Sequence, residues 1–191
     1  FVIERCLRLM KEKSRIGMII QMSAFCTPRM EDFQKMYFKR TRNSHIAFFD
    51  DRPAKLFDGL EHIRVAIFIS EFNHEGRGSC RNIGTTNYIK FRQEFRPILF
   101  ESLYYVLNDN SRKGTSVLKV NSKPEHDIIE KLWQKKHTLA NYLTDIVNDN
   151  YVYYGYGYGY FGKILNYRSY FKGEKVSEST GDKFIYVKEE F

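Results

Sequence analysis

The residues best suited to chemistry gather in one run, Asp50-Asp51-Arg52-Pro53-Ala54-Lys55-Leu56-Phe57-Asp58-Gly59. Two carboxylates there precede two cations and an aromatic ring. Paired carboxylates can share a proton or hold a divalent cation when their oxygens converge. Adjacent residues of an extended chain point to opposite sides, so Asp50 and Asp51 are expected as a solvated loop pair. His74-Glu75 has no second histidine at metal-ligand spacing. Cys6, Cys26 and Cys80 are far apart and form no Cys-x-x-Cys pair, which argues against zinc and fits reduced thiols. The phosphate-binding pattern Gly-x-x-x-x-Gly-Lys-Ser/Thr is absent. No metal site and no self-contained catalytic set is expected.

Elements on both sides must hold that run. Residues 2–13 read as a helix with Val2, Ile3, Cys6, Leu7, Leu9 and Met10 on its apolar face. Residues 16–22, Ile-Gly-Met-Ile-Ile-Gln-Met, read as a strand buried on both faces of a parallel sheet. Thr27-Pro28 has the form of a helix start, Glu31-Asp32 suit its first turn, and Lys39-Arg40 its last. His45–Phe49 and Ile63–Ser70 read as strands flanking the polar loop 50–62, and the pattern is α/β. Residues 71–95 read as irregular, 94–107 as helical with a break near Pro97, and 116–120 as a short strand. Ser122-Lys123-Pro124-Glu125 has capping-box spacing and opens a long helix that carries Ile128, Leu132, Trp133, Leu139, Leu143 and Ile146. In the tract that follows, Tyr154, Tyr156, Tyr158 and Tyr160 alternate with glycines. On a strand this puts the rings on one face. That face is expected to pack on the Trp133 helix, with base stacking as the alternative. Residues 163–187 read as short strands joined by glycine turns.

The 191 residues carry a net charge of +8. Residues 1–70 hold 13 Lys and Arg against 8 Asp and Glu, the largest surplus along the chain. A basic surplus suits a polyanion, because cations on phosphates release counterions. No apolar run nears the roughly 18–20 residues of a membrane span, and Glu4, Arg5, Arg8 and Lys11 break any signal-peptide pattern. No membrane partner is expected. The first residue is Phe1 and both ends read as cut, so a fragment is expected.

The first 70 residues resemble the later half of the catalytic domain of N6-adenine DNA methyltransferases of the restriction–modification type. The resemblance rests on helix 1–11, strand 15–20, helix 29–35 and above all the loop Arg52-Pro53-Ala54-Lys55-Leu56-Phe57, which matches Arg-Pro-x-x-Leu-Phe and leads to Ile63-Arg64-Val65-Ala66-Ile67-Phe68-Ile69. Thr85-Thr86-Asn87-Tyr88, Val152-Tyr153-Tyr154, Ser169-Tyr170-Phe171-Lys172 and Ser177-Glu178-Ser179 are similar to later segments of these proteins, more loosely.

The resemblance implies a partial Rossmann-like methyltransferase sheet: its last three strands, with the final strand antiparallel and in a hairpin with His45–Phe49. A mixed α+β segment would follow. Residues 1–75 would be the end of the catalytic domain, 76–120 a connecting segment, and 121–191 the start of a DNA target-recognition region. It implies S-adenosylmethionine as cofactor of the complete protein, double-stranded DNA as partner, a fused or associated restriction nuclease, and a prokaryotic cytoplasm. A flipped adenine needs a stacking ring; the matching position is Phe57, with Phe49 as alternate. Arg52 and Lys55 flank the ring and would contact DNA phosphate, the competing reading being solvated loop charges. The family's Asn/Asp-Pro-Pro-aromatic motif is missing, since Pro28, Pro53, Pro97 and Pro124 are isolated and none follows Asn or Asp. The glycine-rich cofactor turn is missing too. No catalytic or cofactor-binding residue is therefore assigned, and the fragment is expected to be inactive alone. Two other readings remain: a non-catalytic DNA-binding specificity module, and a methyltransferase acting on RNA or protein.

Overall fold

Ile46, Ala47, Phe48 and Phe49 are all buried, so successive side chains on both faces of one strand are covered. That strand, β2 (Thr41–Phe49), lies inside a five-stranded sheet in the computed structural model. The strand order is β1 (Arg15–Gln21), β3 (Val65–Phe72), β2, β4 (Asn82–Ile89), β5 (Val106–Asn108). β3 runs antiparallel to both β1 and β2, β4 parallel to β2, and β5 antiparallel to β4. The structure describes residues 1–73, 82–108, 112–113, 116–155, 164–167, 170–171, 174–175 and 182–189. The chain divides into two compact units, Phe1–Leu132 and Trp133–Phe191.

In the first unit, α1 (Val2–Leu9), α2 (Ser23–Cys26) and α3 (Glu31–Lys39) contribute to a core with one face of the sheet. Leu7, Phe25, Tyr37 and Phe38 cluster with Ile16, Ile46, Phe48, Phe68 and Ile83. The Phe25 and Tyr37 rings meet Phe68 edge-on at 5.5 and 5.4 Å, a favoured aromatic geometry. The α2–α3 corner is tied by Gln34, whose buried Nε2 donates to the carbonyls of Ala24 and Thr27 at 3.0 Å each.

On the opposite face, Ala47, Phe49 and Val65 are covered by Ala54, Leu56, Phe91 and Leu99. This cover stops partway. Leu107, Gly84, His45, Ile69 and Gly17 stand in register across all five strands, and Ile69 and Leu107 in that row are exposed. The His45 ring lies so close over Gly84 that a Cβ there would meet its Cδ2 at 2.7 Å, and its edge meets Tyr105 at 5.4 Å. Gly84→Ala is expected to lower stability by about 1 kcal/mol. The same change in a His45→Ala background should be near neutral; equal losses in both backgrounds, read by thermal melting, would refute the steric cause.

Several expectations need correction. β1 is not buried on both faces of a parallel sheet. It is an edge strand with an antiparallel neighbour, and its exposure alternates. The doubly buried strand is β2, because it is central and covered on both sides. The expected hairpin of His45–Phe49 with the following strand is present, but β3 is not final: the sheet continues into β4 and β5. Both of those strands come from the stretch 76–120. Residues 93–98 form a 3-10 helix and not a long α-helix. The helix from Thr27 is split into a 3-10 turn, Pro28–Met30, and α3. β6 (Arg112–Lys113) and β7 (Ser116–Val117) pair with each other. α4 (Lys123–Trp133) ends at Trp133, and Ile128 and Leu132 are exposed on it.

The second unit is an antiparallel sheet in the order β10 (Ile164–Leu165), β9 (Tyr151–Gly155), β13 (Asp182–Val187), β8 (Leu143–Thr144). Beside it, β11 (Tyr170–Phe171) pairs with β12 (Glu174–Lys175). Tyr153 lies opposite Phe184, and Tyr151 opposite Tyr186. These four rings contact one another at centroid distances of 5.3–6.3 Å. Residues 156–160 of the Tyr/Gly tract, His74-Glu75 and Cys80 lie outside the described residues. Among the described residues, no helix is long and apolar enough to cross a membrane.

Candidate functional site

The loop 50–62 leaves the carboxyl end of β2 beside the carboxyl end of β4, the rim at which open α/β sheets bind ligands. Backbone bonds continue the β2–β4 pairing past the strands: Asp50 N–H donates to the Ile89 carbonyl at 2.9 Å, and Ala54 N–H to that of Phe91 at 3.1 Å. Arg96 Nη2 closes the seam on the Lys55 carbonyl at 2.5 Å. The Arg52–Pro53 bond is cis, and Gly59 turns the loop back with φ 82°. Ala54 and Leu56 are buried anchors, while Lys55 and Phe57 between and after them stay accessible.

This alternation separates the two ring candidates. Phe57 is 37 % exposed and Phe49 0 %. Phe49 meets Phe100 at 6.2 Å within the loop-side core, so a base could reach it only by opening that core. Arg52 is exposed. Lys55 Nζ contacts Glu61 Oε1 at 2.8 Å, a hydrogen bond that lowers the Glu61 carboxyl.

The expectation of a solvated Asp50-Asp51 pair is overturned, since both are buried. The chain turns sharply enough for the Asp51 N–H to donate to Asp50 Oδ1 at 2.8 Å. Arg64 Nε lies 3.3 Å from that oxygen and 3.6 Å from Asp51 Oδ1. Lys90 Nζ is 3.6 Å from Asp50 Oδ2. Burial pushes the Asp50 carboxyl up, but the Tyr88 phenol beside it and bonds to Asp51 and Arg64 outweigh it and bring it down to about 2. Tyr88 responds in the opposite sense: burial first, then the Asp50 carboxylate, push its phenol well up. The Tyr88 oxygen is buried and has no partner in good hydrogen-bond geometry, so its link to Asp50 is a close approach more than a formed bond. Arg64 stacks 5.6 Å from the Tyr88 ring centre, within cation–π range. These groups brace the loop from beneath.

Beside the loop lies a cleft of about 400 Å³ lined by Lys55, Asp58, Arg92, Gln93, Glu94 and Arg96, with Pro53 and Ala54 at its wall. Arg92 and Arg96 were not among the expected site residues, since 71–95 reads as irregular and 94–107 as a helix broken near Pro97. The signal that could have found them is the spacing of cations in Lys90, Arg92 and Arg96, directly after the segment Thr85-Thr86-Asn87-Tyr88.

Among the described residues, one group brings metal-type donor atoms together: His126, Asp127 and Glu130 on α4. Lys123 Nζ already holds Asp127 at 2.6 Å. No family model, no curated protein and no solved structure matches this chain.

Proposed function

We propose that this chain is part of an S-adenosylmethionine-dependent DNA methyltransferase acting on N6 of adenine in double-stranded DNA, within restriction–modification. Its first unit would hold the last strands of a Rossmann-like catalytic sheet. The observation that carries the reading is the Arg-Pro-x-x-Leu-Phe loop at the carboxyl rim of the sheet. There Leu56 is anchored in the core and Phe57 is left accessible to a flipped base. Arg52 and Lys55 stand beside it for backbone phosphate.

The topology supports this reading over a stand-alone DNA-binding module. β3 lies antiparallel beside β2, and among the described residues the outer edge of β1 carries no partner strand. The free edge at β1 leaves room for the further strands that a catalytic sheet would add. β1 passes through Met22 directly into the short helix Ser23–Cys26, with no glycine-rich turn between them, so none of these residues is assigned to S-adenosylmethionine. The work left to this chain is to hold the base and the backbone.

Two tests decide. The coding sequence preceding Phe1 is expected to encode an Asn/Asp-Pro-Pro-aromatic motif; its absence removes the enzyme reading. Phe57→Ala should leave folding almost intact, because the ring is partly exposed. Loss of stacking, about 1–3 kcal/mol per base, should cut the 2-aminopurine fluorescence rise at the target position roughly tenfold. An undiminished rise removes Phe57 from the base pocket.

A further inference from the structure

We propose that Arg92 and Arg96, with Lys55, form a phosphate clamp that grips the DNA backbone beside the base held at Phe57. This rests on the methyltransferase reading and adds to it two cations from a segment about forty residues further along the chain.

Three observations carry the clamp. First, Lys55, Arg92 and Arg96 line one cleft, of a size to admit a phosphodiester, at the rim that also presents Phe57. Second, Arg96 is fixed in place: its Nη2 bonds the Lys55 carbonyl, so the guanidinium and the loop move as one body. A pre-fixed guanidinium loses little entropy when it meets an oxyanion. Third, its charge is only loosely met. The ion pair to Asp58 spans 3.8 Å, and the Asp58 side chain is 96 % exposed and free to swing aside. Its Nε is buried without a hydrogen-bond partner, which leaves the cation short of compensation.

The same placement argues for a nucleotide over an isolated anion. Lys55 and Phe57 are two residues apart in the loop, and both are accessible on either side of buried Leu56. An aromatic ring and a cationic cleft served by one loop suit the base and the phosphate of one nucleotide. Phe1–Leu132 also holds 23 Lys and Arg against 16 Asp and Glu, so the surplus charge lies in this unit.

The test is duplex binding by the 191-residue chain over a range of salt, for the unaltered protein, Arg92→Gln, Arg96→Gln and the double variant that combines them. Each substitution should weaken binding roughly tenfold at low salt and flatten the plot of log affinity against log salt by about 0.9. Arg92→Gln guards the result, since Arg96→Gln also removes the bond to Lys55. A methylphosphonate beside the target adenine should weaken the unaltered protein by a similar factor and leave the double variant unaffected. Duplex binding with unchanged slopes, or an equal methylphosphonate penalty in the double variant, overturns the clamp and leaves the methyltransferase reading standing. Binding of pyrophosphate but of no duplex overturns both, and identifies the cleft as a site for free phosphate esters.

Discussion

Phe68→Ala should destabilise the first unit by about 3–5 kcal/mol, the range for deleting a large aromatic from a packed core. Phe68 is fully buried on β3, between β1 and β2, and meets the rings of Phe25 and Tyr37. Truncation removes those contacts together, and α2, α3 and three strands border the space left behind. The next residue supplies the control. Ile69 points to the other face and is 58 % exposed, so Ile69→Ala should shift stability by no more than about 0.5 kcal/mol. Urea titration reads both, with the midpoint falling for Phe68→Ala and the slope unchanged. Equal shifts for the two variants would contradict the assignment of faces to β3.

The second large effect depends on pH. The Asp50 carboxyl lies at about 2 in the folded chain, against roughly 3.9 for a free aspartate. A folded-state value below the unfolded one means that ionisation favours folding. The contribution is complete above pH 4 and is lost as pH falls through the folded value near 2. Its size is about 1–2 kcal/mol. Asp50→Asn should therefore melt roughly 2–8 °C lower at pH 6. The gap to the unaltered protein should close between pH 4 and pH 2. A gap that persists unchanged at pH 2 would show that packing, and not the ionised carboxylate, is responsible.

What the sequence made legible follows from which interactions are local. β1, β2 and β3 were visible as apolar runs, and the hairpin of β2 with β3 was expected. The direction of cover was not visible: an apolar run fits an edge strand with one face enclosed as well as a central strand with two. β4 was missed because Thr85 and Thr86 read as polar loop, although both are buried. Their hydroxyls are satisfied at long range. Thr86 Oγ1 accepts from the Phe48 N–H at 3.1 Å, where the register of β2 and β4 shifts, and Thr85 Oγ1 donates to the Val120 carbonyl at 3.4 Å. Asp50 and Asp51 were misread for the same reason, since Arg64 before β3, Tyr88 on β4 and Lys90 just after it reach the pair from elsewhere in the sheet. Within the candidate site, Phe57, Arg52 and Lys55 came from a loop that carries its own pattern. Arg92 and Arg96 join it only because the chain folds the segment after β4 against that loop.

The position of β3 also sets an order of events as the chain is made. Among the described residues β1 pairs with β3 alone, and 43 residues separate Gln21 from Val65 where that pairing begins. While the ribosome adds those residues, Ile16, Met18, Ile19 and Ile20 await the strand they pair with here. At the 5–20 residues per second typical of synthesis, they wait roughly two to nine seconds, far longer than a hairpin needs to close. During that interval the edge of β1 that β3 later covers is open to its counterpart on a neighbouring nascent chain. The yield of folded protein should therefore depend on the rate and crowding of translation more than on the stability of the finished sheet.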